Sequence, residues 1–144
     1  MEKLNDITFY TIDKAIRTYR MYAQKKLKEN GFTITIDQWL IIKSILENPG
    51  ISQLELGEKV FKDNASVTRI IELLVKANYL NRELHPNDRR KSNLIVTEEG
   101  KLVIENVYAV VLQNRKTALN GITMEELEIL NKTLKTIINN CNQS

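Results

Sequence analysis

This 144-residue sequence predicts a mainly α fold carrying one small β-hairpin, and three observations lead there. Only 2 prolines and 5 glycines interrupt the chain, too few for a loop-rich or all-β architecture. Apolar residues recur at three- and four-residue spacings over most of its length, the period of one helical face. That period lapses between Leu80 and Val96, where two strand-like runs flank Pro86-Asn87-Asp88.

The length suits one domain over residues 1–144, and 42% hydrophobic residues are ample for a core. The start, Met1-Glu2-Lys3-Leu4-Asn5-Asp6, leads into no secretory-type apolar segment. The longest apolar run, Val107 to Leu112, is far below the roughly 20 residues that span a bilayer. A lone Cys141 offers no internal disulfide, and with His85 as the sole histidine no multi-ligand Cys/His metal site can be built. A cytoplasmic protein without metal or cofactor is expected.

Taken in order, Leu4 to Glu29 holds Ile7, Tyr10, Ile16, Tyr19, Ala23 and Leu27 at helical spacing and stops at Asn30-Gly31. At 1.5 Å per residue this helix would reach nearly 40 Å, longer than so small a domain needs, so a second copy of the chain is its simplest support. Three Ser/Thr-x-x-Gln/Glu capping boxes follow. Thr35-Ile-Asp-Gln38 opens a helix stopped by Asn48-Pro49-Gly50, Ser52-Gln-Leu-Glu55 opens a short one, and Thr123-Met-Glu-Glu126 opens the last. Between them, Asp63 to Ala77 buries Val67, Ile70, Ile71, Leu74 and Val75 on one face. The strand-like runs Leu80–Leu84 and Asn93–Val96 are joined by a basic segment, His85 to Lys91. Thr97 then caps a long helix that ends near Asn120-Gly121, with Glu98 and Glu99 at its positive end.

The charge is concentrated. Seven of the 21 Lys and Arg but only four of the 18 Asp and Glu fall between Lys62 and Lys91, so the whole net charge of +3 resides there. The short helix, the turn Phe61-Lys62-Asp63 and the helix after it form a helix-turn-helix followed by a hairpin, a winged helix-turn-helix. Asn64, Ser66, Thr68 and Arg69 edge its second helix: small or hydrogen-bonding groups suited to a major groove about 12 Å wide, with Arg69 able to fork onto guanine or phosphate. Each also has a plain structural reading, as a cap for Asp63 or Asn64 and as an ion pair with Glu72 for Arg69. Asp88, Arg89, Arg90 and Lys91 place three cations beside one carboxylate on the wing, a group that a minor groove attracts.

Over nearly its whole length the chain resembles the MarR (multiple antibiotic resistance regulator) family. Asp88-x-Arg90 running into Leu94, Thr97 and Gly100 matches the family's wing signature, Asp-x-Arg then Leu-x-x-Thr-x-x-Gly. Ala65-Ser-Val-Thr-Arg69 is similar to the start of its recognition helix, and Leu73-Leu74 with Tyr79-Leu80-Asn-Arg82 to its lead into the wing. The resemblance implies a homodimer joined through the first, fifth and sixth helices. It assigns residues 35–97 to the DNA-binding lobe, and 1–30 with 98–144 to the dimerisation region. It puts Arg90 in the minor groove, Asp88 as brace of the wing, and Ser66, Thr68 and Arg69 in the major groove of a pseudo-palindromic operator. Members sensing aromatic or phenolic effectors bind them between the dimer helices and the lobe, which here would draw on Tyr10, Tyr19, Tyr22 and Trp39. Oxidant-sensing members use a cysteine near the N-terminus, where this chain has none. A winged helix used only for protein contacts is the alternative. No Gly-rich phosphate loop or Ser/His/Asp arrangement points to an enzyme.

Overall fold

The computed structural model describes residues 1–143 except Pro86 and Asn87; the side chains of His85 and of residues 88–92 also lie outside the described residues. One 3₁₀ turn, Leu4–Asp6, leads into α1 (Thr8–Glu29), α2 (Ile36–Glu47), α3 (Gln53–Val60), α4 (Asn64–Lys76), β1 (Leu80–His85), β2 (Asp88–Val96), α5 (Glu98–Ala118) and α6 (Met124–Asn142). The fold is mainly helical, with β1 and β2 paired antiparallel. Contacts divide the chain into two compact units, Met1–Asn114 and Arg115–Ser144. Among the described residues no helix is long and apolar enough to cross a membrane.

Three local expectations are corrected. The first helix is not continuous from Leu4: the 3₁₀ turn closes by Ile7 N–H donating to the Leu4 carbonyl, and Ile7, extended at φ −82° and ψ 119°, starts α1 afresh. Of the expected capping boxes, those at Thr35 and Thr123 are reciprocal, whereas Ser52 only accepts from the Glu55 N–H. The hairpin is longer than its apolar runs. β2 begins at Asp88, so Asp88, Arg89, Arg90 and Lys91 belong to a strand rather than to a connecting segment. The ladder runs in register from Leu80↔Val96 to Leu84↔Ser92 and resumes at His85↔Asp88 after a shift between Leu84 and His85, so that Arg89, Arg90 and Lys91 lie in the stretch of β2 that the shift passes over. Of the expected turn at Pro86-Asn87-Asp88, Pro86 and Asn87 lie outside the described residues and Asp88 opens β2.

The core of the first unit is assembled from α2, α3, α4 and the hairpin. Ile41, Ile42, Leu56, Val67, Ile71, Leu74 and Leu80 are fully buried in one cluster, together with Val107 of α5. Each such burial contributes roughly 1.5–3 kcal/mol. The wing is fastened to this core by Thr97. Its hydroxyl donates to the Asn78 carbonyl at 2.6 Å and accepts the Gly100 N–H at 3.0 Å, while its own N–H donates to the Tyr79 carbonyl. A Cβ on Gly100 would collide with that same Tyr79 carbonyl oxygen. The Leu94, Thr97, Gly100 pattern thus has a physical reason: it clamps the end of β2 onto the chain leaving α4.

Candidate nucleic-acid interface

α4 is set by its first turn. Asp63, the N-cap, accepts the Ser66 N–H at 2.7 Å, and hydrogen bonds from the Ser66 backbone and side chain hold its carboxyl below the usual range. The helix then turns Val67, Ile71 and Leu74 into the core. The preceding turn is tight: Phe61 adopts the left-handed region at φ 60°, and Gly57 passes so close to the Lys62 carbonyl that a Cβ there would stand 2.9 Å from it.

The edge opposite the core carries the expected residues. Asn64 and Arg69 are exposed, Ser66 and Thr68 half-buried. Arg69 has no ion pair or hydrogen bond among the described residues, so the expected alternative pairing with Glu72 is not formed. The Thr68 hydroxyl, by contrast, is occupied: it donates to the Asn64 main-chain carbonyl at 2.9 Å and accepts from Gln53 Nε2 at 2.6 Å. It is therefore no free donor for a base edge. Asp88, Arg89, Arg90 and Lys91 follow in β2, with side chains outside the described residues.

Two residues escape sequence reasoning. Gln53, at the start of α3, reaches across to both Asn64 and Thr68. Asp37, at the start of α2, pairs with Arg20 of α1 at 2.6 Å and with Lys62 of the α3–α4 turn at 3.5 Å. The latter contact offsets part of the positive charge counted for the segment beginning at Lys62. Sequence offered a signal only within helices; these contacts span 11 to 25 positions and need the fold. Tyr10, Tyr19 and Tyr22 are half-buried on α1 and Trp39 half-buried on α2. The Trp39 indole N–H is buried and has no hydrogen-bond partner among the described residues.

A short helix, a tight turn, a one-sided second helix with a polar edge, and a hairpin whose second strand bears consecutive cations make a winged helix-turn-helix, the fold of DNA-binding transcriptional regulators. The MarR family pattern matches residues 34–92. SarZ, an HTH-type transcriptional regulator of Staphylococcus epidermidis, is 32% identical over 131 residues, covering 90% of this chain and 83% of that protein. The chain belongs to the MarR family. Among solved structures, a probable transcriptional regulator from Pseudomonas aeruginosa superposes with a TM-score of 0.83 at 22% identity, covering 94% of this chain and 99% of that one. Bordetella bronchiseptica BpsR, whose DNA binding is regulated by 6-hydroxynicotinic acid, superposes with a TM-score of 0.85 at 18% identity, covering 95% and 96%. At such identities the likeness speaks for the fold.

Proposed function

We propose that the protein is a cytoplasmic repressor, not an enzyme, that binds a pseudo-palindromic duplex as a homodimer. The α4 edge of each copy (Asn64, Ser66, Thr68, Arg69) enters a major groove, and Arg89, Arg90 and Lys91 of each wing, braced by Asp88, enter the flanking minor groove. The observation carrying this reading is Arg69: an exposed guanidinium with no partner among the described residues, on the polar edge of a helix whose other face is buried. An arginine so placed keeps its full donor set for phosphate or guanine. Residues 35–97 form the DNA-binding lobe, and residues 1–30 with 98–144 join the copies. The exposed Phe9, Ile16 and Met21 of α1, and Leu130 and Ile138 of α6, support this assignment.

The reading includes release by a small aromatic or phenolic effector drawing on Tyr10, Tyr19, Tyr22 and Trp39. The orphaned Trp39 N–H supports it, since a buried donor without a partner costs about 1–3 kcal/mol that a ligand acceptor would recover.

Duplexes selected from a random library test the reading, giving affinity and half-site spacing together. Half-sites about one helical turn apart are expected, with affinity that falls steeply as salt rises. Arg69→Ala and Arg90→Ala should each weaken binding by about 1–3 kcal/mol without dissolving the dimer. A chain that selects no duplex at low salt refutes the proposal and favours a winged helix used for protein contacts.

A further inference from the structure

The two helices of the helix-turn-helix are bridged by one side-chain amide. Gln53 Nε2 lies 2.9 Å from Asn64 Oδ1, 2.6 Å from Thr68 Oγ1 and 3.4 Å from the Asn64 main-chain oxygen. The directions of these bonds follow from one anchor. Thr68 Oγ1 is 2.9 Å from the Asn64 carbonyl, which can only accept, so the single hydroxyl proton points there. Oγ1 is then the acceptor toward Gln53, and the Gln53 atom facing it must be its NH₂. The other N–H of that NH₂ goes to Asn64, whose facing atom is therefore its oxygen. Both Gln53 N–H groups are thus engaged, while its Oε1 has no partner among the described residues. Asn64 is the complement: its oxygen is taken and its NH₂ is without a partner among them.

We infer that Gln53 is a specificity-determining residue of the DNA interface, presenting an acceptor-only Oε1 to the exocyclic amino group of adenine or cytosine. The inference rests on α4 being the recognition helix. Phosphate oxygens are themselves acceptors, so a carbonyl oxygen gains nothing from the backbone of DNA. In the major groove the only hydrogen-bond donors are adenine N6 and cytosine N4, so Oε1 distinguishes the strand that carries them from the one presenting guanine or thymine. The Asn64 NH₂ is less selective, because phosphates as well as base acceptors satisfy it. Thr68, its proton tied to the main chain, acts as the positioning residue that fixes which end of the Gln53 amide is left to bond a base.

Library selection with the wild type, Gln53→Leu and Thr68→Val, with thermal unfolding measured alongside, tests this. One position of the wild-type half-site should favour adenine or cytosine over guanine or thymine by about fivefold, the yield of one neutral hydrogen bond. Gln53→Leu should flatten that position and leave the others unchanged. Thr68→Val removes the anchor, lets the amide turn, and should admit guanine or thymine at the same position. Each variant breaks the bridge from a different helix, so misfolding of one leaves the other as the test. A wild type that selects nothing defeats the DNA-binding reading, and this inference with it. A wild-type site reproduced with unchanged base preferences by both variants overturns the inference alone, even where affinity falls, since that is what a purely structural Gln53 would give.

Discussion

α4 and α6 are built on the same amphipathic pattern and end in opposite conditions. Both are amphipathic and capped at the N-terminus, α4 by Asp63 and α6 by Thr123. α4 buries Val67, Ile71 and Leu74, whereas α6 buries none of its residues, and Leu130 and Ile138 stand 46% and 56% exposed. α1 divides the same way along its length: Ala23 and Leu27 are buried, while Phe9 and Ile16 are exposed. Helical periodicity announces that a face will be covered without saying by what. The helix-turn-helix closes its core within one copy. The faces left open on α1 and α6 call for a second surface.

Substitution on the open side should have the largest effect, on assembly. Leu130→Glu with Ile138→Glu should convert the proposed dimer into monomers in sedimentation velocity, because buried charge is costly at an apolar contact. A particle of unchanged mass would break the comparison by showing that α6 is not part of any interface. On the closed side, Leu74→Ala should lower unfolding free energy by about 2–5 kcal/mol in denaturant titration, the range for deleting a fully buried leucine side chain. A loss below 1 kcal/mol would mean that the lobe's core is no better closed than α6.

How far the sequence reached follows the same division. Elements held by local rules were legible: the helix starting at Thr35, the caps at Thr97 and Thr123, and the apolar face of α4. Leu94 and Gly100 stood out only through the family resemblance, because the contacts of Thr97 and Gly100 with Asn78 and Tyr79 need the fold. The site residues on α4 were legible as an edge, since helical geometry places them there. Their hydrogen-bond states were not, because Gln53 acts on Asn64 and Thr68 across sequence separations that no periodicity encodes. The extended length of β2 was hidden for another reason. Its first residues are charged and carry no apolar alternation to read, and a register shift between Leu84 and His85 interrupts the ladder there. The break at Ile7 was hidden because a 3₁₀ turn leading into an α-helix continues the same three- to four-residue spacing, here Leu4 to Ile7.

A smaller effect is expected at Phe61, whose left-handed backbone would suit glycine and whose side chain is 89% exposed. Phe61→Gly should raise unfolding free energy by about 0.5–1 kcal/mol, because relief of the strain exceeds the added freedom of the unfolded chain. A melt showing lower stability would mean that the phenyl ring packs usefully despite its exposure.

The smallest effect concerns acid, and it separates the two helices once more. Asp63 has its carboxyl held below the ordinary range of an aspartate by hydrogen bonds from Ser66, and Glu126 below that of a glutamate by those from Thr123. In each case the unfolded chain takes up its proton at a higher pH than the folded chain does. The stability these caps supply is therefore complete above about pH 5 and drains away as pH falls through the depressed folded values. Asn and Gln can replace them as caps without titrating. Asp63→Asn should flatten part of the acid decline in the thermal midpoint between pH 5 and 2, and Glu126→Gln a separate part. If α4 and α6 unfold as one cooperative unit, the two flattenings add in a single transition. If α6 melts apart from the lobe, each variant moves its own transition and leaves the other in place, which would make the division between closed and open regions one of stability as well as of burial.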